Sequence, residues 1–338
     1  MRFSVQLPTC TEGLVNPIPF AAPEDFVRLA QAAERLGYDA VWGNDHITAA
    51  PYVRTTWSAP PNFYEVLITL ATVGAHTRRV QLGTAVLVLP LRDPVLLAKQ
   101  VATLDQLTGG RVVLAVGIGA YREEFEAHWP RRATARRGEL LDEGLVALRL
   151  LLTERVASHA GPHYAFENLE LYPKPVQRPL PIYIGGHNEA AIARAARVGQ
   201  GWLPGWRPFD EVKQRTALLR RLTAEAGREP REVEAAVHFT LMIGRTPEEA
   251  AIRYRATGMV QHRKSLAHSG RDPALAEANN LIGSPQSLGE KIAFLRDAGV
   301  DHVCALQLPH DSVTEMLEQM EWFARDVMRV FKEGARHA

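Results

Sequence analysis

The sequence predicts an α/β protein of the (β/α)8 TIM-barrel class, with one domain over residues 1–338. Three observations carry this. Strand-like and helix-like segments alternate along the whole chain, about eight such units fit into its 338 residues, and no linker divides it. Alternating β and α units give a parallel sheet covered by helices, and eight of them at this length favour a closed barrel over an open sheet.

The first strand is read near 2–7, in MRFSVQL. PEDFVRLAQAAERLGYDAVW follows as helix and strand. Pro23 suits a first helical position, where its missing N–H costs nothing, and Phe26, Leu29, Ala30, Ala33 and Leu36 recur at helical spacing before Gly37 as cap. The second strand is placed at 39–42 and the third at 80–88. Asp93 then caps a helix opened by Pro94, with Leu97, Val101, Leu104 and Leu107 on one side. Further strands are read at 111–116, 181–184, 201–204, 234–243 and 301–308, and a helix over 311–334 closes the ring. Three insertions exceed ordinary connections, at 43–65, 158–180 and 254–283. The first and third follow strands, where barrel loops face the catalytic end. The second precedes its strand and reads as a packing hairpin.

Lys and Arg number 39 against 38 Asp and Glu, a net charge of +1, so no global field recruits nucleic acid or an anionic membrane. No apolar run approaches the roughly 18 residues that span a bilayer. The two cysteines, Cys10 and Cys304, have neither CxxC nor Cys/His spacing, which excludes a disulfide or zinc framework and suits a reducing cytoplasm. The expectation is a soluble, cytoplasmic protein whose partner is a small-molecule substrate.

VVLAVGIGAYREEF (112–125) has the strand–GxG–helix look of a dinucleotide turn. It fails the fingerprint: Arg122 stands where the third glycine belongs, and the turn ends the fourth strand instead of the first. Gly117 and Gly119 make either a plain tight turn or room for a planar ligand. In PIYIGGHNEAAIARAA, Gly185 and Gly186 precede His187, Asn188 and a helix, so backbone N–H groups can meet an anion there; an ordinary βα turn is the plain alternative. Asp45 and His46 lie just past the second strand, where barrel catalytic groups sit, and a histidine there can carry a proton near neutral pH, although a lone histidine is more often structural. A cofactor-free hydrolase or lyase using this pair, or a barrel that only binds a ligand, is the competing reading. No Asp/His set suggests a metal. Tyr52, Trp57, Tyr64 and Trp206 line a pocket or pack the core, and Arg131, Arg132, Arg136 and Arg137 read as a solvated helix start.

LAQAAERLGYDAVWGNDHI, RVQLGTAVLVLPLRDPVLLAKQVATLDQLTGGRVVLAVGIGAYREEFEA, LYPKPVQRPLPIYIGGHNEAAIARAARVGQGWLP and GSPQSLGEKIAFLRDAGVDHV together cover most of the chain in order. In them the protein resembles the luciferase-like monooxygenase superfamily, in its group of flavin- or coenzyme F420-dependent oxidoreductases. The resemblance implies a homodimeric barrel with the cofactor ring at its C-terminal mouth. It implies hydride transfer between F420 (favoured) or FMN and a small organic substrate, or an FMN-dependent monooxygenase on the same scaffold when reduced FMN meets O2. Thr84, Ala85 and Val86 match a bulge whose non-prolyl cis peptide backs the ring. Gly117 and Gly119 match the turn lining it, and Gly185, Gly186 and His187 the loop that grips the phosphate. His46 matches a histidine near the reacting carbon, with Asp45 as a possible assistant. One departure stands out: similar sugar-phosphate dehydrogenases carry a glutamate where this chain has Ala120, which argues against a sugar phosphate.

Overall fold

Eight parallel strands close on themselves in the computed structural model, which describes residues 1–265 and 272–333. They are β1 (Arg2–Leu7), β2 (Ala40–Gly43), β3 (Gln81–Thr84), β4 (Val112–Gly117), β5 (Ile182–Gly185), β6 (Gly201–Leu203), β7 (Glu234–Ile243) and β8 (His302–Gln307). Each pairs with the next, and β8 returns to β1, with Arg2 opposite His302. The connecting helices are α1 (Pro23–Leu36), α2 (Val66–His76), α3 (Pro94–Thr108), α4 (Arg137–Thr153), α5 (Glu189–Val198), α6 (Phe209–Glu225), α7 (Pro285–Asp297) and α8 (Val313–Phe323). The (β/α)8 barrel is therefore as expected, with most strand ends shifted by a residue or so; the third strand, expected over 80–88, stops at Thr84, and Leu87–Val88 pairs separately with β4.

The local reasons also hold. α1 begins at Pro23, Asp25 accepts from the Ala22 amide at 3.0 Å, and Gly37 ends the helix at φ 85°. Asp93 caps α3 by accepting from the Leu96 amide at 2.9 Å. The inward face of α3 differs in one place: Leu97, Val101 and Leu104 are buried, but Leu107 is 76% exposed and Thr108 takes the inward position. A step of four residues from 104 returns to the buried stripe, whereas a step of three moves about 60° round the helix.

The barrel axis is filled from the N-terminal end. Arg2 pairs with Glu234 and donates to Gln81 at 2.9 Å, and the Tyr183 hydroxyl also donates to Glu234. Above this lies Trp42, whose ring occupies the space a side chain at Gly83 would need; a Cβ there would fall 2.1 Å from it. Trp42 Nε1 donates to Ser4 Oγ at 2.8 Å, and that hydroxyl meets His302 Nε2 at 2.7 Å. With the lower barrel plugged, free space is left at the C-terminal mouth.

The insertions behave differently from one another. The first carries a short helix, Pro51–Thr56, and the second forms the antiparallel hairpin Ala157–Ala160 with Ala165–Leu169. The third contains the helix Met259–Ser265 and the short strand Leu281–Gly283, which pairs with β7. Residues 266–271 of this insertion, and residue 334 of the expected last helix, lie outside the described residues. No helix among the described residues is long and apolar enough to cross a membrane.

Candidate functional site

A cleft of about 530 Å³ opens at the C-terminal ends of the strands. His46, Ala85, Val86, Gly117, Gly119, Gly185, Gly186 and His187 all line it. Two sequence candidates do not. Thr84 is buried, and its hydroxyl donates to the Ala115 carbonyl at 2.7 Å, tying β3 to β4. Asp45 is turned away from its neighbour: Arg92 donates to one of its oxygens at 2.5 Å and the Val88 amide to the other at 2.9 Å. Successive side chains of an extended segment point to opposite sides, so only one of the pair can face the cleft. Burial raises the Asp45 carboxyl above its ordinary value, although Arg92 and the amide pull the other way.

His46 has instead a partner from 78 residues away. Its Nδ1 lies 3.0 Å from Glu124 Oε2, and the other Glu124 oxygen accepts from the amides of Ile47 at 2.5 Å and Thr48 at 3.3 Å. Burial would raise the Glu124 carboxyl, but the bond from His46 and the two amides outweigh it and hold it below the usual range. A carboxylate only accepts, so Nδ1 donates and Nε2 is the nitrogen left for another partner. The imidazole is held between the rings of Phe63 and Tyr121, at 5.9 and 5.7 Å between centroids. Glu124 sits on the short helix Arg122–His128 directly after the β4 turn, four residues beyond the missing carboxylate at Ala120. An acidic residue on the helix that follows a glycine turn was the one signal available in the sequence.

Across from His46 the wall is flattened by absent side chains. A Cβ on Gly117 would stand 2.8 Å from Val86 Cγ2, and one on Gly185 would stand 2.7 Å from Val86 Cγ1. The Ala85–Val86 peptide is cis. Next to this notch α5 begins, capped by Asn188, which accepts from the Ala191 amide at 2.9 Å. Gly186 precedes it at φ 123°, where a Cβ would meet Ala191 Cβ at 2.9 Å. Arg215 donates to the His187 carbonyl. Arg137 lines the cleft here and donates to the carbonyls of Ile118 at 3.1 Å and Gly119 at 3.0 Å, so it is not simply part of a solvated helix start. Arg194, also lining, is held by both oxygens of Asp142.

Comparison with known proteins decides the family. The family model described as luciferase-like monooxygenase matches residues 1–302. The chain belongs to the luciferase-like monooxygenase family. An uncharacterized protein of Mycobacterium tuberculosis is 36% identical over 214 residues, covering 60% of this chain and 73% of its own length. The F420-dependent glucose-6-phosphate dehydrogenase of Segniliparus rotundus is 28% identical over 324 residues, 90% of this chain and 93% of that one. The FMNH2-dependent dimethylsulfone monooxygenase of Pseudomonas putida is 28% identical over 331 residues, 90% of this chain and 87% of that one. In fold it is similar to the monooxygenase RslO1 of Streptomyces bottropensis, with a TM-score of 0.81, 23% identity and coverage of 98% and 100% of the two chains.

The aromatic candidates have other places in this luciferase-like barrel. Tyr64 packs edge-on against Phe26 at 5.0 Å, Tyr52 and Trp57 join a loop cluster around Val53, and Trp206 is buried beneath Arg263. None of the four lines the cleft; Tyr121 does. Gln6, Asn44, His238, His262, Arg263 and Gln307 complete the wall, and the sequence singled out none of them. They come from five separate parts of the chain, with no shared motif to mark them. Among the described residues no group of three or more His, Cys, Asp or Glu could hold a metal.

Proposed function

We propose that this protein is an oxidoreductase that moves a hydride between a bound deazaflavin or flavin and a small organic substrate, with coenzyme F420 the favoured cofactor and FMN the other. The observation that carries the reading is His46, oriented by Glu124 and facing the same cleft as the Val86–Gly117–Gly185 notch. The residues present fit such a cofactor. Gly117 and Gly185 lack the Cβ atoms that would collide with Val86, so Val86 packs close against their backbone and leaves a flat wall for a ring, and the α5 N-terminus with its amides and nearby Arg137 and Arg194 suits a phosphate. When bound, the cofactor supplies the two-electron redox chemistry.

The chain's own residues supply the rest. Gly117, Gly119 and Gly185, packed against Val86 and Val88, would form the wall beside the ring, while Gly186, His187 and Asn188 would hold its phosphate end. A hydride transfer that interconverts carbonyl and alcohol also moves a proton, and His46 Nε2 gives or takes it at the substrate oxygen. Glu124 keeps that nitrogen turned to the substrate. Asp45 anchors Arg92 and the β3 bulge and takes no part in the proton transfer.

Titration of the purified protein with F420 and separately with FMN, followed by absorbance and fluorescence, tests the reading. Saturable binding of F420, tighter than FMN, is expected; binding of neither would overturn it. Tighter FMN binding with substrate-dependent O2 uptake would instead select the monooxygenase reading that the Pseudomonas putida relative suggests.

A further inference from the structure

The interior of a barrel is layered, and its uppermost layer here forms the floor of the cleft. Side chains alternate along a strand, so Ser4 and Gln6 of β1 point to the same side. Ser4 is joined to Trp42 and His302 inside the barrel, which places Gln6 one layer above that plug. Small residues, Ala85, Gly117 and Gly185, line the cleft from the β3–β5 side, and the carboxamides of Gln6, Asn44 and Gln307 line it from the β8–β1–β2 side. Two of these carboxamides are engaged. Asn44 Oδ1 accepts from Thr9 Oγ1 at 2.8 Å and from the Cys10 amide at 3.2 Å, and its Nδ2 donates to the Cys10 carbonyl at 2.8 Å. Gln307 Oε1 lies 3.5 Å from the Arg263 guanidinium. Gln6 differs: it is only 5% exposed, and its Oε1 is buried with no hydrogen-bond partner among the described residues.

We propose that Gln6 is a positioning residue whose carboxamide pairs with the imide edge of the bound cofactor ring and stops the ring from sliding in its own plane. The proposal rests on the redox reading above. Flavins and deazaflavins both carry such an edge, an N–H donor flanked by carbonyl acceptors, and a carboxamide offers the matching acceptor and donor side by side. A buried carbonyl oxygen without a partner is costly, and most such groups in folded proteins are paired. The terminal torsion of a glutamine is broad and roughly two-fold, so the amide turns its oxygen toward a ligand in the cleft at little cost. The wall formed by Val86 against Gly117 and Gly185 is flat, and flat packing resists tilting of a ring but not its movement along the wall. A directional hydrogen bond in the ring plane supplies the missing restraint. Hydride transfer needs that restraint, because a misplacement of about 1 Å can cost a hundredfold in rate.

The test titrates cofactor-free protein with FMN and with 3-methyl-FMN, in which a methyl group replaces the imide proton, and follows flavin fluorescence. The wild type is expected to prefer FMN by about tenfold or more. Gln6→Ala, which also makes room for the methyl group, should shrink that preference to within about twofold. Gln6→Met keeps the shape and removes the amide. It should weaken FMN, and F420 with the same imide edge, by about tenfold, while the cofactor-free variant melts at or above the wild-type temperature because an unpaired buried oxygen is gone. Equal binding of the two flavins by the wild type, an undiminished preference in Gln6→Ala, or unaltered affinity for both cofactors in Gln6→Met would each overturn the proposal. A cofactor-free Gln6→Met protein that melts well below the wild type would also overturn it, since the carboxamide would then be serving the fold. Wild-type protein that binds neither F420 nor FMN would overturn the redox reading and this proposal together, a failure told from the others because it is seen without any substitution.

Discussion

A histidine serves proton transfer when its ring is held and one nitrogen is kept for the substrate. Glu124 meets both needs for His46, accepting from Nδ1 while two backbone amides lock the carboxylate itself. His46→Ala is expected to keep cofactor affinity and lose turnover by roughly 10²–10⁴-fold, the usual scale for removing a general acid or base. Unchanged turnover would remove His46 from the chemistry. Glu124→Gln is expected to lower kcat with little change in KM and to displace the pH–rate profile; a reduced rate with the wild-type profile would mean that Glu124 only supports the loop. Asp45 has a different part. Its buried pair with Arg92 predicts that Asp45→Asn costs about 3 kcal/mol of stability, near the lower bound for breaking a buried ion pair because Glu65 still faces Arg92 at 2.7 Å. A urea midpoint equal to that of the wild type would contradict this.

At the scale of elements, the turn from β5 into α5 does two jobs with few residues. Gly186 takes a backbone conformation that side chains rarely adopt, and any Cβ there would press on Ala191. Gly186→Val should therefore distort the first turn of α5 and weaken cofactor binding by about tenfold or more, since displacing charge-assisted contacts costs on the order of 1.5–3 kcal/mol. Isothermal titration against F420 would read it, and an unaltered affinity would exclude this loop from the cofactor site. Asn188→Ala removes the cap that meets the Ala191 amide and is expected to cost about 1 kcal/mol. The helix Arg122–His128 is the other decisive element. It is short, but its position directly after the β4 glycines delivers Glu124 to His46.

For the whole molecule, acid stability follows from histidines kept neutral in the core. His310 is buried, and burial, with Arg253 nearby, lowers its pKa to about 3 from an ordinary 6.5. Between those values the unfolded chain binds a proton that the folded one refuses, so stability falls as pH falls from about 6.5 toward 3. The slope from this one group is at most about 1.4 kcal/mol per pH unit. His302, fully buried on Ser4, acts in the same direction. The Glu124 carboxyl, held below its usual value, adds stability that is present above about 4.5 and lost below it. His310→Gln should flatten the dependence of the melting temperature on pH in this window. The Asn16 bond to the residue 310 carbonyl would survive the change, so a steep dependence left intact would refute the assignment.

What the sequence by itself determined is the periodic part: the eight alternating units, Pro23 and Gly37 at the ends of α1, Asp93 at the start of α3, and the glycine turns at 117–119 and 185–186. Each of these depends on neighbours within a turn or two, and such local physics is written in consecutive residues. His46 was legible for the same reason, because it stands just past a strand end. Only the tertiary structure decided the company it keeps. Closing the barrel brings Glu124 to His46, sends Asp45 to Arg92, and sets Arg263 beside Thr240 and Gln307. For Trp206 the sequence left pocket lining and core packing open, and the fold buries it under Arg263. Those contacts join residues 23 to 78 positions apart, and spacing along a chain carries no record of which strand ends meet across a barrel mouth.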